Sequence, residues 1–267
     1  MIYFAATPIG NLKDITLRVL ETLKSADAVF CEDTRHTLKL LSAYDIKKPL
    51  YACHKFNESE AAEKIIALSR EGKTVVVVSD AGMPVISDPG GVVVKKLKEA
   101  GEKFTVLPGA CAFVTALALS SLPAEKFTFL GFLPDKAGQR KKLLEVYKDS
   151  EETLVFHLAP QDADAYIRDM YSVFGSRTAC AVREITKLHE ETVYFRLEDG
   201  LAGEKRGEYV LIVEGKKEKE NPLNALGVRE HFKHYTDSGL TKKEAIKAVS
   251  RDRGIAKNEV YQAVLDL

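Results

Sequence analysis

Two short runs hold most of the side chains able to do acid–base or phosphate chemistry. EDTRHT, Glu32–Thr37, places Asp33, Arg35 and His36 directly after an apolar stretch that ends at Cys31. Such a carboxylate serves as base or orienter, the guanidinium binds phosphate, and the imidazole is a titrating alternative. Without chemistry, the same run reads as an N-capped helix start. REITKLHEE, Arg183–Glu191, follows another apolar stretch and offers Arg183, Glu184, Lys187 and His189 as phosphate contacts or proton acceptors. Its other reading is a charged, solvated strand face. YACHKFNE, Tyr51–Glu58, adds His54, Lys55 and Asn57 to the same side, although a lone histidine is more often structural.

A second set of residues suits binding more than reaction. ATPIGNLKD (Ala6–Asp14), SDAGMPVISDPG (Ser79–Gly90) and LPGACAF (Leu107–Phe113) each follow an apolar, strand-like run. Thr74–Val78 is β-branched with no polar alternation, which is how a strand covered on both faces of a parallel sheet reads. Loops at the carboxyl ends of parallel strands share one edge, where ligands bind in open α/β sheets. Glycines there let backbone approach a ligand, and Asp80 and Asp88 can accept hydrogen bonds from ribose or ammonium groups. Neither a GxGxxG fingerprint nor a GxxxxGK[ST] P-loop is present, so a nucleoside-type cofactor without a phosphate cluster fits better than a dinucleotide or ATP.

Strands and helices must position these groups. The first half alternates them: strands at Ile2–Ala6, Ala28–Cys31, Thr74–Val78 and Phe104–Leu107, helices at Thr16–Ser25, Thr34–Tyr44, Ser59–Glu71 and Val92–Ala100, and an Ala/Leu helix ending near Ser120. This predicts an α/β domain with a mostly parallel sheet, residues 1–130. GFLPDKAGQR, Gly131–Arg140, reads as a linker. Strands at Thr153–His157, Thr178–Val182, Glu191–Leu197 and Glu208–Val213, with helices near Ala137–Lys148 and Gln161–Phe174, predict a second α/β domain with a mixed sheet, residues 131–215. Residues 216–267 begin with the charged hinge KKEKEN and end in a helical hairpin, with a Thr241/Glu244 capping box and a turn at Gly254. This tail has 11 Lys/Arg against 8 Asp/Glu and resembles a nucleic-acid-binding helix-turn-helix as much as a hairpin with a solvated face.

Bulk properties are neutral. The 267 residues are 45% hydrophobic, and Lys+Arg and Asp+Glu both total 39, so net charge points to no polyanion. Cys31, Cys53, Cys111 and Cys180 are widely spaced, which argues against zinc and for reduced thiols in a cytosol, with Cys31, Cys53 and Cys180 as small core hydrophobes. MIYFAATPIGN lacks the charged start of a signal peptide, and no apolar run approaches a membrane span, so a cytoplasmic protein is expected.

ATPIGNLKDIT, EDTRHT, SDAGMPVISDPG, GFLPDKAGQR and REITKLHEE, in this order between Ala6 and Gly215, resemble the motifs of the small-subunit ribosomal RNA methyltransferases of the tetrapyrrole methylase superfamily. The resemblance implies a two-domain α/β homodimer binding S-adenosylmethionine in the interdomain cleft and methylating the ribose 2′-hydroxyl of cytidine 1402 in 16S rRNA of the small ribosomal subunit, without a metal. It assigns cofactor contacts to Thr7, Pro8, Gly10, Asn11, Asp80, Ala81, Gly82, Ile86, Asp88, Pro89, Gly109, Ala110 and Cys111. The chemistry of the charged runs adds catalysis by Asp33, Arg35 and Lys187, and substrate contacts by His36, His54, Asn57, Arg183 and Glu184. ATPIGN in place of the tetrapyrrole branch's GxGxGD favours the RNA branch. The chain departs from the pattern at Cys111, where a serine is usual, at Met83, where a threonine is usual, and in FHLAPQD, where a segment like FYESPHR is usual. The alternatives are a methyltransferase for a tetrapyrrole or other small molecule, and a non-catalytic RNA-binding assembly factor.

Overall fold

The computed structural model describes residues 1–203, 205–217 and 221–267; Glu218, Lys219 and Glu220 of the expected KKEKEN hinge lie outside the described residues. The chain divides into two compact units, Met1–Lys216 and Lys217–Leu267. Both sheets belong to the first unit.

The first sheet is built from the short apolar runs: β1 (Ile2–Ala5), β2 (Ala28–Cys31), β3 (Leu50–Ala52), β4 (Val75–Val78) and β5 (Phe104–Leu107). All pairs are parallel, in the order β3-β2-β4-β1-β5. The four valines of β4 are buried at the centre because helices cover both faces. Ile2, Phe4, Phe30, Val75 and Val77 meet α3 (Glu58–Arg70) and α4 (Gly91–Glu99) on one side. Ala5, Val29, Cys31, Val76 and Val78 meet α1 (Leu17–Ser25) and α2 (Thr34–Ala43) on the other. Strand β3, absent from the sequence reading, is three residues long and sits at the edge.

The second sheet comprises β6 (Phe127–Phe132), β7 (Thr153–Leu158), β8 (Thr178–Arg183), β9 (Glu191–Arg196) and β10 (Tyr209–Val213), in the order β6-β7-β10-β8-β9. Only β6 and β7 pair in parallel. α6 (Ala137–Val146) and α7 (Ala163–Phe174) cover one face. The other face is covered by α5 (Ala112–Leu119), whose Ala116 and Leu117 pack on Val155, Cys180, Val210 and Ile212. Thus α5 leaves β5 of the first sheet and lies on the second. The expected boundary near Leu130 falls inside β6, a strand of the second sheet.

The terminal unit has three helices among its described residues, α8 (Val228–Asp237), α9 (Lys242–Arg253) and α10 (Lys257–Ala263), around Phe232, Ala245, Val249, Val260 and Val264. The expected hairpin is α9 and α10, with the Thr241/Glu244 box in place and Gly254 at φ 63° closing α9. The sequence reading missed α8, whose only buried residues are His231 and Phe232. No helix among the described residues is long and apolar enough to cross a membrane.

Candidate active site

Three loops at the carboxyl edge of the first sheet are tied together by backbone. Thr7 N–H donates to Gly82 O at 2.9 Å and Gly82 N–H returns to Thr7 O at 3.0 Å. The buried Thr7 hydroxyl donates to Ser79 O. Gly109 lies so close to the first loop that a Cβ there would stand 2.7 Å from Ala6 Cβ. Thr7, Gly109 and Ala110 therefore shape the edge from behind. Asn11 accepts the Lys13 N–H and caps a short helical turn, Leu12–Asp14.

Between this edge and the second sheet lies a cleft of about 420 Å³, lined by Ile9, the loop Ala81–Met83 with Ile86–Asp88, the start of α5 at Cys111–Phe113, and the ends of β6, β7 and β10. Of the expected cofactor contacts, Ala81, Gly82, Ile86, Asp88 and Cys111 line it; Thr7, Pro8, Gly10, Asn11, Asp80, Pro89, Gly109 and Ala110 do not. The opposite wall, His157–Gln161 and Gly207–Val210 with Phe132 and Ile185, is absent from the expected cofactor contacts. Its one sequence signal was the strand-to-helix turn in FHLAPQD, a segment read by what it lacks. Met83 lines the cleft as a packing group, and Cys111 at the N-cap of α5 makes no side-chain capping bond. Burial raises the Cys111 thiol, which keeps it neutral.

The carboxylates at this edge differ sharply. Asp88 is pushed up to about 6 by burial and by the charges of Glu32 and Asp80. Burial, then Asp80, likewise raises Glu32. Asp33 is held at about 2 by its hydrogen bonds from Arg35, whose guanidinium donates to both of its oxygens at 3.2 and 2.9 Å. Asp33 also caps α2, accepting the Arg35 N–H at 2.8 Å, and its own N–H donates to Asp80 Oδ1 at 3.1 Å. The helix-start reading of EDTRHT thus describes Asp33, while Arg35, 87% exposed at its side chain, and the exposed His36 remain open to solvent.

On the other side, Lys187 Nζ bonds Glu184 at 3.0 Å and Glu208, a cleft-lining residue, at 2.9 Å. Burial works against its charge, but the two carboxylates outweigh it and hold Lys187 above its ordinary value. A Cβ on Gly10 would come within 2.5 Å of Lys187 Cγ, so the ATPIGN loop and the REITK loop touch. Glu184 and Thr186 both have positive φ there, the strained backbone that functional loops retain. Arg183 pairs with Glu191 at 2.9 Å. In YACHKFNE, Asn57 accepts the His54 N–H at 2.7 Å and donates to Ala52 O, closing a turn. Asp33, Arg35, His36, His54, Asn57, Arg183, Glu184 and Lys187 all stand outside the cleft lining. No group of three or more His, Cys, Asp or Glu among the described residues could hold a metal ion.

Two sheets with a ligand-sized cleft at the parallel edge define the class: residues 1–199 match the family described as Tetrapyrrole (Corrin/Porphyrin) Methylases. A relative from Halalkalibacterium halodurans, named Ribosomal RNA small subunit methyltransferase I, is 43% identical over 269 residues, covering 97% of this chain and 93% of its own length. One of the same name from Bacillus subtilis strain 168 is 41% identical over 272 residues, covering 98% and 93%. The chain belongs to the ribosomal RNA small subunit methyltransferase I family, a branch of the tetrapyrrole methylases. A uroporphyrin-III C-methyl transferase from Thermus thermophilus, solved with S-adenyl homocysteine, shares the fold at 20% identity and a TM-score of 0.58, covering 80% of this chain and 96% of its own.

Proposed function

We propose that the protein transfers a methyl group from S-adenosylmethionine to the ribose 2′-hydroxyl of cytidine 1402 in 16S rRNA of the small ribosomal subunit, as a cytoplasmic homodimer. The observation that carries this reading is the cleft: its volume suits a nucleoside-sized ligand, and its lining combines apolar walls with two carboxylates and a helix start. These residues fit the cofactor. Ile86, Met83 and Leu158 would cover its apolar parts, Asp88 and Glu208 would face its positive charge, and the first N–H groups of α5 suit its carboxylate. When bound, S-adenosylmethionine supplies the electrophilic methyl on a sulfonium.

The chain's own residues must align the hydroxyl and take up its proton. Asp88 suits the second task, since a carboxyl near 6 is ionised at neutral pH yet more basic than an ordinary aspartate. Asp33, held at about 2, is a weak acceptor; in this reading it orients Arg35 toward phosphate. Lys187 stays protonated and sets positive charge beside Glu208 at the cleft wall. His36, His54, Asn57, Arg183 and Glu184 belong to the RNA-facing surface. Phe56 and Leu188, each 92% exposed, are apolar surface that a second copy of the chain would cover.

The test is transfer of labelled methyl to small subunits from cells lacking the protein, followed by mapping of the modified nucleotide. One ribose methyl on the decoding-region cytidine is expected. Transfer to a tetrapyrrole with none to the subunit would replace this reading with the small-molecule one.

A further inference from the structure

The strand β6 contains an irregularity in its pairing with β7. Phe129 pairs with Val155 and Gly131 with Phe156, so Leu130 is an extra residue in the ladder with β7. Residues three apart on a regular strand face opposite ways; one extra residue brings Phe129 and Phe132 to the same face. Leu130 turns to the opposite core, against α6 and α7, while Phe129 packs toward α5. Gly131 makes the bulge feasible at φ 61°, where an added Cβ would sit 3.1 Å from Ser87 Oγ of the facing loop.

The result is a row of rings running along the cleft wall. Phe113 of α5 stacks on Phe129 at 4.0 Å between centroids and 11° between planes. Phe129 meets His157 edge-on at 5.2 Å, and His157 lies 5.1 Å from Phe132 at 33°. The row ends at Phe132, which lines the cleft and is 63% exposed, so its ring is open to a ligand at the cleft mouth. Four residues on, Lys136 at the start of α6 is exposed and has no ion-pair partner among the described residues. Burial lowers His157, so the ring behind Phe132 packs as a neutral aromatic face.

We propose that Phe132, backed by His157 and Phe129, is the stacking platform for the unstacked nucleobase of the RNA nucleotide being methylated, with Lys136, four residues on, for the adjoining phosphate. RNA bases are recognised in single strands by stacking on aromatic faces, and a base that leaves its neighbours needs such a face to compensate. An exposed apolar ring at the cleft mouth, with an exposed lysine four residues on in the chain, matches a base joined to a phosphate. This inference rests on the RNA-methylating reading above.

The test compares F132A, F132L and F132W in the full chain, measuring KM and kcat for small subunits and, separately, the Kd of S-adenosyl homocysteine. Loss of one stacked base predicts a KM for RNA raised about 5- to 150-fold in F132A, with kcat changed less. F132W restores KM and F132L does not, while cofactor Kd stays within about twofold in all three. An unchanged KM in F132A, or F132L matching F132W, overturns the platform. A cofactor Kd that weakens in step with KM also overturns it and assigns the ring to the cofactor's adenine. If the wild type binds cofactor but transfers nothing to RNA, the functional reading fails first and takes the platform with it.

Discussion

At Asp88, one residue carries a conflict between stability and chemistry. Its carboxyl rises from an ordinary 3.8 to about 6, so between those values the folded state holds a proton that the unfolded state has released. Stability contributed at this position is therefore greatest below pH 4 and falls as pH rises through 6. A two-unit shift corresponds to nearly 3 kcal/mol at most, and solvent around this half-exposed group reduces that to about 1 kcal/mol. Asp88→Asn should thus be about 1 kcal/mol more stable than wild type at pH 8 and equal to it at pH 4, read from urea midpoints. The same variant should lose at least tenfold in methyl transfer, together with the rise of rate between pH 5 and 7. Equal midpoints at both pH values would show that the carboxyl is not strained. The three core thiols carry no such conflict: Cys31, Cys53 and Cys180 are buried, and burial holds Cys53 and Cys180 near 11, in line with their reading as small hydrophobes.

Among the elements, close approaches and buried ties position the cleft walls. Gly109 against Ala6 joins two backbones, neither of which can swing away as a flexible side chain would. Gly109→Ala should cost about 1–3 kcal/mol and weaken cofactor binding, seen together in thermal melts with and without S-adenosyl homocysteine. Arg140, 4% exposed, holds the turn after β6: it donates to Pro134 O and Asp135 O at 2.9 Å, pairs with Asp169 at 2.5 Å and covers the Tyr166 ring. Removing Arg140 leaves the mostly buried Asp169 with Lys141 alone, at 3.2 Å, so Arg140→Ala should cost about 3 kcal/mol, less in an R140A/D169A double variant than the two singles summed. Additive singles would mean that the pair is not coupled. Most elements were legible because their pattern is local: β2 and β5 fall at the expected residues, and α1, α2 and α9 start at the caps that Thr16, Asp33 and Thr241 announce. β3 and α8 were not, since three residues hold too little pattern and α8 starts at Gly227, which has no side chain to announce a cap.

On the scale of the whole molecule, the separate terminal unit has its own core and a positive excess, so its effect should be electrostatic. A chain ending at Lys216 should melt as a cooperative unit and bind S-adenosyl homocysteine within about twofold of full length. Its affinity for small subunits should fall less steeply with salt, because fewer counterions are released per contact. An identical salt slope would remove the tail from the RNA surface. The alternation of strands and helices, the parallel and mixed character of the two sheets, the three loops at one edge and the motifs that place the chain in its family can all be read along the chain. All of these follow from runs of neighbouring residues whose periodicity and turn chemistry act locally. Only the tertiary structure decided that α5 crosses to the second sheet, that β6 belongs there, and that His157–Gln161 and Gly207–Val210 complete the cleft. It also decided the separation of the carboxylates: Asp33 and Asp88 are the same residue in sequence terms, yet a neighbouring guanidinium holds one at about 2, and burial beside two like charges drives the other to about 6. Burial and through-space charge depend on residues far apart in the chain, and spacing along the sequence does not encode them.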